Sequence, residues 1–299
     1  MKNYMIAPFH DVDSIVAHAI AEMWDPQIEH RQLEYNVEYD SVKKIEQMPN
    51  QIVLMADLGY SHSESLEMMV RKLESMKSNG SIIYFFDQHR WPSDILRKVF
   101  SYNFHSDTQS SSQLLANHLL EHNKVALYLA SLATKDDFNI EDNATQKLED
   151  LVNSRIPKKQ LIHDLASLNE PKLLLTQDAQ QALYLFRIEK QEAYQVLQSS
   201  YEFHETKLGK VVTSLSPQLL YMKPGHRKTR DDNPEMIMIC FYDGYQNCTF
   251  RTIDRNQKEF LLSEFKGGGR GTEGGFDPGE IVTPNNYKEI RRKILNKLM

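Results

Sequence analysis

Cysteine is scarce in this chain: Cys240 and Cys248 are the only two in 299 residues. That is too few for the disulfide framework by which small secreted domains make up for a thin core. The pair stands on what read as neighbouring strands, and both read as buried packing residues. Long hydrophobic runs are absent as well. No apolar stretch nears the roughly 18 residues of a membrane span, and Met1-Lys2-Asn3-Tyr4-Met5-Ile6 lacks the apolar segment of a signal peptide. The expectation is a cytoplasmic protein with no membrane partner. An excess of positive charge is also missing, since 35 Lys and Arg face 41 Asp and Glu for a formal net charge of −6. This speaks against an all-over basic surface for long nucleic acid, and leaves room for a small anionic substrate held by a cation and a local basic patch. There is no internal repeat and no low-complexity segment.

Glycine is sparse too, 12 residues in all, yet six of them fall within Gly267-Gly268-Gly269-Arg270-Gly271-Thr272-Glu273-Gly274-Gly275. Glycine concentrated in this way brings backbone close to something else. Such a loop either cradles a phosphate with bare N–H groups, Arg270 forking onto the same oxygens, or is a surface turn.

What the chain does have is a series of uninterrupted apolar runs, each ending in acid. Tyr4-Met5-Ile6-Ala7 reads as a strand, followed by Asp11 and Asp13 at the start of an amphipathic helix. Ile52-Val53-Leu54-Met55-Ala56 ends at Asp57, and Ser81-Ile82-Ile83-Tyr84-Phe85-Phe86 ends at Asp87. Helical patterns lie between them. Continuous apolar strands alternating with helices predict an α/β fold with a parallel sheet covered on both faces, and ligands of such sheets bind beyond the carboxyl ends of the strands. Helices are expected over 110–121 and 124–134, the latter running into Asp136 and Asp137, with two more between 143 and 167. A polar helical stretch from 176 to 203 reads as a connector. Strands over 210–215, 236–242 and 247–252 then make a smaller α+β domain that carries the glycine loop. The expected organisation is 1–175, 176–203 and 204–299.

Asp11 and Asp13 flank one residue in a strand-to-helix turn, within reach of one or two cations, although an Asp in such a turn also serves as a helix cap. Asp57, at a buried strand end, needs a partner charge. Asp87 with His89 adds a carboxylate and an imidazole, donors suited to manganese, iron or zinc. Asp136 or Asp137 supplies a further ligand. Together these positions predict a divalent-metal site able to activate a water and neutralise charge on a phosphoryl group. A basic run, His226-Arg227-Lys228-Thr229-Arg230, reads as a loop that clamps a nucleic-acid backbone or is balanced by Asp231 and Asp232. Trp91 and Phe9 read as packing aromatics, with base stacking as the alternative.

The order of these motifs resembles the DHH phosphoesterase superfamily, which includes RecJ-type single-strand exonucleases, nanoRNases, cyclic-dinucleotide phosphodiesterases and family II pyrophosphatases. Phe9-His10-Asp11-Val12-Asp13-Ser14 is similar to its His-x-Asp-x-Asp-Gly motif, Asp57 to its bridging aspartate, and Asp87-Gln88-His89 to the name-giving Asp-His-His. Thr249-Phe250-Arg251-Thr252 is similar to a strand whose arginine meets substrate phosphate, and residues 268–276 to the glycine-rich loop of the second domain. The resemblance implies that Asp11, Asp13, Asp57 and Asp136 hold one or two Mn²⁺ or Mg²⁺ ions. It implies that Asp87 and His89 serve catalysis, and that Arg251, Gly268, Gly269 and Arg270 bind substrate in a cleft between the domains. The implied activity is hydrolysis of short single-stranded oligonucleotides or of the terminal nucleotides of single-stranded DNA or RNA, by a monomer or homodimer. Three positions depart from the pattern. Phe9 stands where the first metal-binding His belongs, Gln88 replaces the first His of the pair, and Arg270 replaces the His of the glycine loop. They motivate the alternative of a degenerate relative that binds a nucleotide, or a replication or repair partner, without turnover.

Overall fold

The computed structural model describes residues 2–34, 37–45, 50–60, 63–140, 142–220, 223–268 and 271–299. The chain forms two compact units, Met1–Phe186 and Arg187–Met299.

The first unit runs β1 (Tyr4–Ala7), α1 (Val12–Trp24), β2 (Glu29–Gln32), α2 (Tyr39–Val42), β3 (Ile52–Ala56), α3 (Glu64–Ser78), β4 (Ile82–Asp87), α4 (Ser93–Val99), β5 (Tyr102–His105), α5 (Ser111–Leu119), α6 (Lys124–Asp137), α7 (Asn143–Asn153) and α8 (Lys158–Ala166). Its sheet has the order β2-β1-β3-β4-β5 and every pairing in it is parallel. Alternation along the strands feeds two cores. Met5, Ala7, Leu54, Ala56 and Phe86 pack under α1 and α5 to α8. Tyr4, Ile6, Val53, Met55, Ile83 and Phe85 pack under α2, α3 and α4. A strand buried on both faces has no place for a polar residue until it ends, so the first carboxylates of β3 and β4 appear at one rim of the sheet. The helices start on side-chain caps that bond their own first-turn amides, Asp11 for α1, Ser63 for α3, Ser110 for α5 and Asn123 for α6;.

Helix α9 (Gln177–Ser199) contains the division between the units. The second unit continues with β6 (Glu202–Thr206), β7 (Gly209–Ser216), α10 (Lys223–Asp232), β8 (Ile237–Tyr242), β9 (Cys248–Arg251), α11 (Arg255–Phe265), β10 (Glu273–Phe276) and α12 (Tyr287–Leu298). Its sheet has the order β10-β9-β8-β7-β6, parallel only between β7 and β8. Ile237, Ile239, Phe241 and Phe250 pack with Leu261 of α11 and Ile290 and Ile294 of α12. Cys240 and Cys248 are buried free thiols.

One expectation is corrected. The basic run is not a loop but part of α10, where Lys228 pairs with Asp232 one turn on at 2.6 Å and Thr229 is fully buried. Pro224 sits in the first turn of that helix, where a missing N–H costs nothing. Helix α6 runs to Asp137, so Asp136 and Asp137 stand in its last turn, at the helix end the sequence indicates. Trp91 is 7% exposed, and its indole N–H donates to the Leu58 carbonyl at 2.6 Å, so it props the chain beyond β3 and offers no face for stacking. Among the described residues no helix is long and apolar enough to cross a membrane.

Candidate metal centre and phosphate site

Asp57 directly follows β3 and has φ 55°, in the left-handed region that only Gly, Asn and Asp enter at modest cost;. Its N–H still bonds the Phe86 carbonyl, at 3.3 Å. The left-handed turn therefore acts on the carboxylate, which ends 5% exposed at the rim. A non-glycine residue held in that conformation at a strand end is strain of the kind found at functional sites.

Asp87 is the last residue of β4 and is 1% exposed. One oxygen accepts from the Leu58 amide at 2.7 Å. The other accepts from the His89 amide at 2.8 Å and meets His89 Nδ1 at 2.7 Å. The His89 ring is thereby fixed in plane and lies 4.0 Å from Asp57 Oδ1. Asp57, Asp87 and His89 offer ligand atoms that all lie within 4.8 Å of one another. Two carboxylates and an imidazole at that separation fit a divalent cation.

The electrostatics agree. Burial, then the charges of Asp11, Asp13, Asp87 and Asp137, push the Asp57 carboxyl well above the usual carboxylate range;. Burial likewise raises Asp87, against the pull of His89. Burial raises Asp13 as well, opposed by the Ser112 side-chain and backbone bonds and aided by Asp11. Buried together, these acids favour the neutral form, and a cation among them would favour the charged one.

The sequence-predicted residues divide within it. Asp13 is 2% exposed and gives its two oxygens to the Ser111 and Ser112 amides at 2.8 and 2.9 Å, the first donors of α5;. Asp11 caps α1 through the Ser14 amide at 2.8 Å, and its other oxygen lies 3.4 Å from His10 Nε2. The cap reading holds for Asp11, Asp13 serves α5 instead of its own helix, and both charges still reach Asp57. Asp136 is buried in the last turn of α6. The network reaches α6 through its neighbour Asp137.

The residue that makes this connection is Gln88, which sequence reasoning treated as a weak oxygen ligand in place of a histidine. Its Nε2 donates to Asp57 Oδ1 at 3.1 Å and to Asp137 Oδ2 at 3.0 Å, while its Oε1 accepts from Ser111 Oγ at 2.5 Å. An amide N–H₂ set between two carboxylates does part of what a cation does there. The available signal was that a buried amide following a strand-end Asp must satisfy both of its ends.

In the second unit, Arg251 on β9 lies opposite Glu273 of β10. The Glu273 carboxyl is held below its usual range by His226, whose Nε2 lies 3.4 Å from Oε1, and further by Arg230 and Arg251. Thr249 Oγ1 joins His226 Nδ1 at 3.0 Å and the Tyr242 hydroxyl at 2.5 Å. A shallow pocket of about 430 Å³ opens beside Thr249, Gly268, Glu273 and Asp277. The glycines serve two purposes. A Cβ at Gly267 would stand 2.1 Å from the Gly275 carbonyl and one at Gly274 would stand 2.6 Å from Phe250, so these two let the arms of the loop pack on each other. At Gly268 a Cβ would meet open space. Gly269 and Arg270, expected in the phosphate cradle, lie outside the described residues.

No protein-family model matches the sequence, and no curated protein does. Solved structures do. A pGpG-specific phosphodiesterase from Vibrio cholerae matches with TM-score 0.58 at 14% identity, covering 99% of this chain and 98% of its own. The DHH domain of a member of the s1p family of ribosomal proteins matches with TM-score 0.61 at 11% identity over 99% and 86%. RecJ from Thermus thermophilus, in complex with Mn²⁺, matches with TM-score 0.59 at 11% identity over 99% of this chain and 52% of that one. The chain therefore has the fold of these structures, one of which is a DHH domain.

Proposed function

We propose that this chain is a divalent-cation-dependent phosphodiesterase that hydrolyses short single-stranded oligonucleotides or the terminal nucleotides of single-stranded DNA or RNA. The observation that carries the reading is the convergence of Asp57, Asp87 and His89 at the carboxyl rim of a parallel sheet, with Asp57 in a strained backbone conformation. The fold supports it, since similar structures include one titled a pGpG-specific phosphodiesterase and a RecJ holding Mn²⁺.

Asp57, Asp87 and His89 would hold the cation, with Asp11 adding charge to the rim; Mn²⁺ or Mg²⁺ suits this oxygen-rich set. When bound, such an ion offsets charge developing on phosphoryl oxygens and acidifies water. The protein's own part is positioning. Asp87 bonds His89 Nδ1 and so orients the ring beside Asp57 as a ligand;. Asp13 ties the start of α5 to the rim. Arg251 in the second unit, together with Gly268 and the Gly269-Arg270 segment, would bind a substrate phosphate.

A second reading has its own support: the Gln88 amide already bridges Asp57 and Asp137, as expected of a relative that binds nucleotide without turnover. One panel separates the two. Labelled dinucleotides and 5-mers to 20-mers of DNA and RNA, incubated with Mn²⁺ beside Asp57→Ala, should be cleaved by the wild type alone. Intact substrates from a folded protein would leave the binding reading standing.

A further inference from the structure

At the end of β1, three histidines and a glutamate form a continuous chain. His18 of α1 is fully buried. Its Nε2 lies 3.2 Å from the Ala7 carbonyl and its Nδ1 lies 2.9 Å from Nδ1 of His30 on β2. The His30 ring reaches on with Nε2 to Glu22 Oε2 at 3.0 Å, and His163 of α8 meets the other Glu22 oxygen at 2.6 Å. Phe9 stands edge-on to the His18 ring, centroids 4.6 Å apart at 89°.

Hydrogen-bond counting fixes the protons. A carbonyl only accepts, so His18 Nε2 carries hydrogen. The neutral ring then presents a bare Nδ1, and His30 Nδ1 must donate to it. One further proton lies between His30 Nε2 and Glu22, which makes the trio neutral as a whole. Burial holds the His18 imidazole neutral, its pKa lowered to about 3, and the His30 charge adds to that. The charged groups around the chain are Glu22 on α1 and Lys159, His163 and Asp164 on α8. Burial lowers His30, Glu22 opposes that and Lys159 adds to it. Glu22 raises His163, and Asp164 adds to that. A second proton on the histidine pair would set N–H against N–H at 2.9 Å.

The Ala7 carbonyl thus receives two donors, the Leu33 amide at 3.0 Å and His18. Asp11 follows four residues later, and Phe9 between them leans on the same imidazole. We infer that His18 and His30 are positioning residues, a two-imidazole clasp that holds the end of β1 and so sets the turn that brings the Asp11 and Asp13 carboxylates to the rim. The inference rests on the reading of that rim as a cation site. It concerns the His18 and His30 side chains, which the phosphodiesterase reading does not use.

The test is Mn²⁺ calorimetry on the full chain at pH 7.5, with ring nitrogens followed by ¹⁵N-resolved NMR. His18→Leu fills the space and removes the bond to Ala7, and it should weaken Mn²⁺ binding about fivefold or more. His18→Gln keeps an Nε2–H for the carbonyl and should stay within about twofold of wild type. His30→Leu, on the edge strand, covers the case in which His18→Leu fails to fold. It should weaken binding about threefold and release His18 from its single Nε2–H tautomer. Binding within twofold of wild type in both leucine variants overturns the clasp, as does His18→Gln failing as badly as His18→Leu. Should the wild type bind no Mn²⁺, the cation reading is what fails. The Asp11 and Ser14 amide shifts in the leucine variants then decide: movement supports the clasp and stillness overturns it.

Discussion

Replacing Asp57 by Asn should make the metal-free protein more stable and the metal-loaded protein less so. Asn keeps the shape, tolerates φ 55°, and still accepts the Gln88 amide through Oδ1;. What it removes is a buried carboxyl whose ionisation is opposed first by burial and then by Asp11, Asp13, Asp87 and Asp137. Relieving one buried like-charge site is worth about 1–2 kcal/mol, or about 2–8 °C in a unit of this size. In the wild type, 1 mM Mn²⁺ at a Kd of about 10 μM adds about 2.7 kcal/mol by mass action, and Asp57→Asn should forfeit most of it. Thermal melts in EDTA and in Mn²⁺ read both effects, which have opposite signs and so cannot come from one general loss of fold. Asp57→Ala is the control for backbone strain: it sheds the same charge but should melt below Asp57→Asn by about 1 kcal/mol, because alanine resists the left-handed region. An Asp57→Asn protein that melts below wild type in EDTA, or that keeps the full Mn²⁺ shift, would refute the reasoning.

Other consequences follow from the same geometry. His18, neutral when folded with a pKa lowered to about 3, is protonated sooner in the unfolded chain; its contribution is complete above the ordinary pKa of 6.5 and is lost as pH falls, by about 2 kcal/mol at pH 5. Urea unfolding from pH 7.5 to 5 should therefore show an acid slope that His18→Leu flattens. The rim acids act the other way in metal-free protein. Asp57, Asp87 and Asp13 have raised folded pKa values, so the folded state binds more protons, and stability falls as pH rises from 3.8 through those values. Mn²⁺ should reduce that fall, and the same urea series repeated with and without the ion checks it. Arg251→Ala should raise KM for oligonucleotides tenfold or more with little change in kcat, since a charged hydrogen bond is worth about 1.5–3 kcal/mol; steady-state kinetics on a 5-mer decide it.

How far the sequence led depends on where each element lies. β1, β3 and β4 are covered on both faces, so their residues are apolar without interruption and the turn to acid marks their ends. β2 (Glu-His-Arg-Gln) and β5 (Tyr-Asn-Phe-His) are the edges of the same sheet, half-buried or exposed, and their polar residues carry no strand signal. They form because a paired neighbour offers them a ladder. The basic run misled for a related reason: Pro224-Gly225 looks like a turn, whereas the buried Thr229 and the Lys228–Asp232 pair belong to a helix. At the site, Asp57, Asp87 and His89 were legible because strand ends deliver them locally. The bridge from Gln88 to Asp137 and Ser111 spans 49 and 23 residues, and the clasp from His18 to His30 joins a helix to an edge strand. Contacts of that range are set by topology, which local pattern does not encode.

The proposed phosphodiesterase activity depends on a cation held at Asp57, Asp87 and His89. Its most direct test is release of mononucleotide from a 5′-labelled single-stranded 5-mer by purified protein, with Mn²⁺ and with EDTA, beside Asp57→Asn. Cleavage by the wild type in Mn²⁺ alone, absent with EDTA and at least about 100-fold slower in Asp57→Asn, is the predicted result. Cleavage that persists in EDTA, or that Asp57→Asn retains in full, would contradict it.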